Sequence, residues 1–256
     1  MISANRVLVS LFFSFTPSLS SSHLRFKSLS SHAPPSPFRM ASFASSSSTP
    51  SSSEPASVTT NPPLPSAVHD GAPSPSSAID FLSICHRLKT TKRTGWVRKE
   101  VEDSESIADH MYRMGLMALI AADIPGVDRN KCVKMAIVHD IAEAIVGDIT
   151  PSDGISKAEK SRREQEALDH MCKVLGGGSR AKEIADLWVE YESNSSQEAK
   201  FVKDLDKVEM ILQALEYEDE QGKDLNEFFQ STAGKFQTDI GKAWASEIVS
   251  RRRKNN

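Results

Sequence analysis

The adjacent pair His139 and Asp140 follows four apolar residues, Met135 to Val138, and no lysine or arginine lies within a helical turn on either side of it. An ionised carboxylate buried there without a partner costs several kcal/mol, so a positive charge must reach it from elsewhere. Glu143 comes four residues after His139 and three after Asp140, which on a helix puts a second carboxylate on the same face. Two such carboxylates in a dry place repel unless a cation stands between them. His110 lies one step from an apolar stripe at Ile107, Met111 and Met114, and Asp206 borders another at Phe201, Leu205 and Val208. Two imidazoles and two carboxylates are thus expected to converge from three helices. Mixed nitrogen and oxygen donors of this kind suit Mn, Fe, Co, Ni or Zn better than a thiolate site would, and the chemistry they could support is metal-assisted hydrolysis. Each residue alone has an ordinary reading: a core histidine is more often a packing residue than a ligand, a helix-edge aspartate is usually a surface charge or a cap, and a His-Asp dipeptide is weak by itself. Their combination points to a metal.

The elements that would carry these residues all read as helices. From Ser106 onward Ile107, Met111, Met114, Ala118 and Ala121 recur at helical spacing, with Ser106 and Asp109 in capping-box positions, and this helix should end near Pro125. Lys131 to Val146 is apolar nearly all round and is expected to be a central helix closed by Gly147. Ala158 to Leu175 is a charged helix ended by three glycines, Arg180 to Glu192 follows as another, and Phe201, Leu205, Val208, Leu212 and Leu215 mark a strongly periodic one. Phe228 to Ile248 supplies at least one more. Nothing alternates with period two for long enough to be a strand, and there is no internal repeat.

Composition divides the chain near Ile79. Eleven of the 13 prolines precede that point, together with the serine runs Ser46 to Ser48 and Ser51 to Ser53. Residues 1–78 are therefore expected to be a disordered extension, because they cannot bury enough apolar surface to offset the entropy of ordering. Residues 79–256 have the size of one compact domain. Arg6, Arg25, Lys27 and Arg39 against Glu54 and Asp70 give the extension a net charge of +2, which leaves 27 basic and 32 acidic residues, or −5, for the remainder. A leading segment rich in serine, with scattered arginines and no acid before Glu54, reads as an organelle transit peptide, for the chloroplast rather than the mitochondrion. A secretory signal over Val7 to Phe15 and an unspecific disordered extension are the competing readings, and a start at Met40 would give a cytosolic form. Three scattered cysteines, Cys85, Cys132 and Cys172, form no disulfide framework and count against secretion. No apolar run is long enough to span a bilayer, and no basic face appears beyond Arg251 to Lys254, so membrane and nucleic-acid partners find no support.

The order His110, then His139-Asp140, then Asp206 resembles the H…HD…D signature of the HD superfamily of metal-dependent phosphohydrolases. Four stretches are similar to its 5′-deoxynucleotidase branch, the HD domain-containing protein 2 group: Arg93-Thr-Gly-Trp96, Glu105-Ser-Ile-Ala-Asp-His-Met-Tyr-Arg-Met114, Val138-His-Asp-Ile-Ala-Glu-Ala-Ile-Val-Gly-Asp-Ile149 and Ser231-Thr-Ala-Gly-Lys-Phe236. The resemblance covers nearly the whole domain. It implies an all-α HD-type bundle in which His110, His139, Asp140 and Asp206 bind a divalent ion, with Mn, Co and Mg the foremost candidates. It implies further that Glu143 and Asp148 lie at the substrate phosphate and can hold a second ion, with the Ile149 carbonyl; Glu143, assisted by Asp148, is then expected to handle the proton going to the leaving 5′-oxygen. The implied reaction releases phosphate from deoxyribonucleoside 5′-monophosphates, and the implied assembly is a homodimer. Trp96 would pack near the sugar; without the resemblance it reads as a core or edge aromatic. Where the bacterial relatives carry an arginine just before that tryptophan this chain has Gly95, so Arg93 or Arg98 is expected to hold the phosphate instead.

Two other functions compete. An HD hydrolase of alarmones or cyclic nucleotides would suit a plastid, but alarmone hydrolases carry a Glu-Asp pair after the HD and here Glu143 is followed by Ala144. A non-catalytic helical interaction module is disfavoured because every expected ligand position is filled.

Overall fold

A computed structural model describes residues 71–255 and is helical throughout, with no strand among the described residues and one antiparallel bridge, between Lys92 and Ser106. The extension expected over residues 1–78 lies, as far as residue 70, outside the described residues. In chain order the helices are α1 (Pro75–Cys85), α2 (Thr94–Arg98), α3 (Ile107–Ile120), α4 (Arg129–Val138), α5 (Glu143–Val146), α6 (Lys157–Val174), α7 (Ser179–Ser193), α8 (Gln197–Gln221), α9 (Asn226–Thr232) and α10 (Asp239–Asn255), with 3-10 turns at His86–Lys89 and Pro151–Asp153. No helix among the described residues is long and apolar enough to cross a membrane.

Helical structure begins at Pro75, upstream of the compositional break at Ile79. The serines and prolines that read as tail act here as helix punctuation: the Ser74 hydroxyl accepts from Ser77 N, and Pro75 stands in the first turn, where its missing N–H leaves nothing unsatisfied. The expected capping box forms at the start of α3, where Ser106 accepts from Asp109 N and Asp109 accepts from Ser106 N. α3 ends at Ile120 rather than near Pro125, because Ala121 is already extended.

The single helix expected over Lys131 to Val146 is two, and the break falls at the His-Asp pair. α4 stops at Val138, and a tight turn from His139 to Ala142 leads into α5. Nδ1 of His139 lies 2.9 Å from the Ala136 carbonyl, the acceptor that a continuing helix would offer to the Asp140 N–H. The chain tightens accordingly into three-residue bonds, Ile141 N to Val138 O, Glu143 N to Asp140 O and Ala144 N to Ile141 O. Gly147 then ends α5 with φ 75° and ψ 174°, a conformation open to glycine.

α3 packs most extensively on α4, and α8 runs through the centre against α3, α4, α7, α9 and α10. Phe201, Val202, Leu205, Val208, Ile211, Ala214 and Leu215 of α8 are buried and join Ile107, Met114, Met135, Leu168 and Met171 in one core. The stretch expected to be helical from Phe228 to Ile248 is interrupted between α9 and α10. There the fully buried carboxylate of Asp204, on α8, accepts from Gln237 N, Thr238 N and Thr238 Oγ1 and so caps α10 from outside.

Candidate metal-binding active site

α3, the α4–α5 turn and α8 bring His110, His139, Asp140 and Asp206 together. Both imidazoles are fully buried, their ring centroids 5.3 Å apart. Nε2 of His139 lies 3.1 Å from Asp140 Oδ2, and Nε2 of His110 lies 3.4 Å from Asp206 Oδ1 and 3.9 Å from Asp140 Oδ2. These approaches are close enough for charge to act but not aligned for a hydrogen bond, so both Nε2 atoms are buried without a hydrogen-bond partner. The donor atoms of His110, His139 and Asp140 all fall within 4.8 Å of one another, the spacing of groups able to share one ion. Asp206 approaches that trio through His110, whereas Glu143, Asp148 and Ile149 lie outside it.

The positive charge missing from the local sequence comes in part from Arg93, a side chain 47 residues away. Its Nη1 donates to Asp140 Oδ2 at 3.0 Å, and its Nη2 stands 3.9 Å from Asp206 Oδ1. Arg93 is brought there by the segment before α2, where Arg93 N donates to Glu105 O and Ile107 N to Thr91 O. Arg98 faces elsewhere, bonded to Thr150 and Asp153, so of the two candidate arginines Arg93 is the one at the site. Lys160 of α6 adds a second cation, 3.9 Å from Glu143 and 3.2 Å from Glu164.

Burial would raise the Asp140 carboxyl, but His139, Arg93 and His110 outweigh it and hold the group well below the usual carboxylate range. Asp206 is likewise held down, against burial, chiefly by His110. Burial and Arg93 pull the His110 imidazole down, yet Glu209 and Asp206 outweigh them and carry it up to about 10. His110 attracts a proton for the same reason that it would attract a metal ion: anions surround it. Glu143, only 3% exposed and with no partner for Oε2, is pushed well above its ordinary value by burial and then by Asp140 and Asp148. Asp148 follows Gly147, and its Oδ2 accepts from Thr94 N at 2.7 Å and its carbonyl from Thr94 Oγ1 at 2.8 Å, which ties the loop to α2.

Trp96 corrects an expectation. It is 2% exposed, donates through Nε1 to Glu105 Oε1, and packs against Phe228 at 4.4 Å and the edge of Tyr217 at 5.4 Å between ring centroids. It is a core aromatic, as its residue type alone suggests, and offers no free face to a sugar. Two residues to which the sequence reading gave no role, Tyr191 and Glu209, also touch the ligand set, and a third, Arg113, stands behind Glu209. Tyr191 donates to Asp206 Oδ2 at 3.0 Å and packs on His139, and Glu209 and Arg113 stand behind His110. Glu209 had a signal, since a carboxylate one turn after Leu205 on the apolar stripe of α8 must be buried. Tyr191 and Arg113 had none.

Residues 85–248 match the HD domain family. The chain is 54% identical over 160 residues to the 5′-deoxynucleotidase HDDC2 of Danio rerio, covering 62% of this chain and 79% of that one. It is 52% identical over 162 residues to the protein of the same name from Homo sapiens, with 62% and 78% covered. Among solved structures, the PH0347 protein from Pyrococcus horikoshii OT3 superposes with a TM-score of 0.57 at 33% identity, covering 70% of this chain and 99% of that one. Coverage of this order leaves the match running through every element that carries the site, and the chain belongs to the HD domain family, in the group of the 5′-deoxynucleotidases.

Proposed function

We infer that this chain is a metal-dependent phosphomonoester hydrolase that acts as a 5′-deoxynucleotidase, taking deoxyribonucleoside 5′-monophosphates to deoxynucleoside and inorganic phosphate. The observation that carries the reading is the pair of fully buried Nε2 atoms without hydrogen-bond partners, on histidines from two helical segments, beside Asp140 and Asp206. Buried polar atoms are seldom left so, and a divalent cation is the partner that two imidazoles and two carboxylates jointly fit. His110, His139, Asp140 and Asp206 would hold it, and Mn, Co or Mg is the ion we propose. The chemistry it supplies when bound is activation of water near neutral pH and neutralisation of phosphoryl charge.

The chain's own groups do the remainder. Arg93, between Asp140 and Asp206, takes the phosphoryl oxygens, and Lys160 adds charge from the α6 side. Glu143 gives the proton needed by the leaving 5′-oxygen, a role supported by its unpartnered Oε2 beside the acids Asp140 and Asp148. Asp148 holds α2, and with it Arg93, against the site through Thr94.

Phosphate release from deoxyribo- and ribonucleoside monophosphates, assayed with added Mn, Co or Mg, tests the reading. Asp140→Ala should lose both activity and metal retention, whereas Glu143→Gln should lose turnover and keep most of the ion. Wild-type activity in both variants sinks it.

Two further proposals concern the setting. Residues 1–78 act as a chloroplast transit peptide, on the strength of their serine load and the absence of acid before Glu54; a fluorescent protein carrying them that stays in the cytosol would refute this. The domain forms a homodimer, supported by the exposed stripe Tyr112, Leu116, Leu119 and Ile120 on α3; a wild-type mass of one chain by light scattering would refute that.

A further inference from the structure

Glu209 is a carboxylate with no exposure at all, set in the central helix α8. Such a group persists only where it is fully paired. Its Oε2 lies 2.6 Å from His110 Nδ1, and its Oε1 accepts from Arg113 Nε at 2.8 Å, with Arg113 Nη2 at 2.7 Å. Arg113 is itself held, by Glu216 through Nη1 and by Gln213 through Nη2. The arrangement therefore has a fixed direction. The Arg113 fork, which can only donate, pairs with the carboxylate of Glu209 through Oε1, so Oε2 is left to accept and His110 Nδ1 to donate. The other ring nitrogen, Nε2, is the buried atom without a hydrogen-bond partner that lies between Asp140 and Asp206.

We propose that Glu209 is the positioning residue that holds His110 in the tautomer whose Nε2 lone pair faces the metal site, and that Arg113 in turn fixes the orientation of Glu209. The proposal rests on the reading of His110 as a ligand. Carboxylates behind ligating imidazoles set both ring orientation and basicity.

The fork of Arg113 makes this testable by an isosteric change. In Glu209→Gln the single carbonyl oxygen must serve Arg113, which can only donate. The amide NH2 then meets His110 Nδ1, and the ring must put its proton on Nε2, where it blocks a metal. Removing the fork as well, in Glu209→Gln with Arg113→Met, lets the amide turn and accept from Nδ1 again. A residue that merely filled space would show no such rescue.

The experiment is a Mn(II) titration of metal-stripped full-length protein, with free Mn(II) followed by electron paramagnetic resonance and folding checked by circular dichroism. Glu209→Gln should bind about ten- to hundred-fold more weakly than wild type, and the double variant should recover a large part of that loss. In Zn(II)-loaded wild type, long-range proton–nitrogen NMR should find the His110 proton on Nδ1, a measurement that decides the matter even if the variants fold poorly. Wild-type affinity in Glu209→Gln, a double variant no tighter than the single one, or a His110 proton on Nε2 overturns the proposal. A wild-type protein that takes up no Mn(II) overturns the metal reading beneath it instead, so the two failures are distinct.

Discussion

Arg93 stands between two carboxylates that the proposed ion would also use, so it is at once their counter-charge and a competitor for them. With Nη1 on Asp140 and Nη2 near Asp206 it stabilises the acids without any metal, and when substrate arrives it is the fork best placed to take phosphoryl oxygens. Arg93→Met should therefore split two properties. kcat/KM for deoxyribonucleoside monophosphates should fall by about ten- to hundred-fold, the scale of one lost charge-assisted contact, while Mn(II) affinity should not fall and is expected to rise as repulsion between the arginine and the ion disappears. Unchanged kinetics would remove Arg93 from the substrate side. The candidate ligand cluster was legible because His-Asp after an apolar run, with Glu143 a turn later, concentrates chemistry in a stretch that should be dry. The partners were not, because Arg93 reaches Asp140 across 47 residues and Tyr191 reaches Asp206 across 15. The place of Trp96 near a sugar came from the family resemblance and not from its own surroundings in the sequence, and its indole turns to Glu105 in the core.

Elements were legible where their signals are local. The capping box at Ser106 and Asp109 fixed the start of α3, and the stripe from Phe201 to Leu215 fixed α8. The break between α4 and α5 was not, since what ends α4 is an imidazole on the Ala136 carbonyl and not a glycine or proline. The break before α10 was equally hidden, because its cap, Asp204, is supplied by α8. That cap yields a prediction with an unusual sign. Alanine in place of a helical glycine ordinarily stabilises by a few tenths to about 1 kcal/mol. At Gly241, in the first turn of α10, a Cβ would lie 2.6 Å from Asp204 Oδ2 and 2.8 Å from its Cβ. Asp204 cannot withdraw without releasing Gln237 N and Thr238 N. Gly241→Ala should thus destabilise by about 1–3 kcal/mol, the usual range for overpacking, read as a lower midpoint in thermal or urea unfolding; a midpoint at or above wild type would show that the cap is slack.

At the scale of the whole molecule, the site joins parts of the chain that are far apart. His110 belongs to α3, His139 and Asp140 to the turn after α4, and Asp206 to α8, the helix on which most of the others pack. Arg93 beside Asp140 and Lys160 beside Glu143 offset these buried acids only in part, so the folded state gains from any cation that binds there, whereas an unfolded chain cannot assemble the four donors. The consequence is linkage: an ion present at a hundred times its Kd should add about 2.7 kcal/mol to the stability of the fold, worth roughly 2–4 °C in Tm for each kcal/mol in a domain of this size. Chelation should lower Tm by that amount, and Mn(II) or Co(II) should restore it as its concentration is raised. Asp140→Ala should be insensitive to both additions, because one of the close trio of donors is gone. Arg98→Ala, whose side chain is tied to Thr150 and Asp153 away from the site, should respond like wild type. A Tm that ignores chelator in the wild-type protein would mean that no ion bridges these helices, and the unpartnered imidazole nitrogens would then need another explanation.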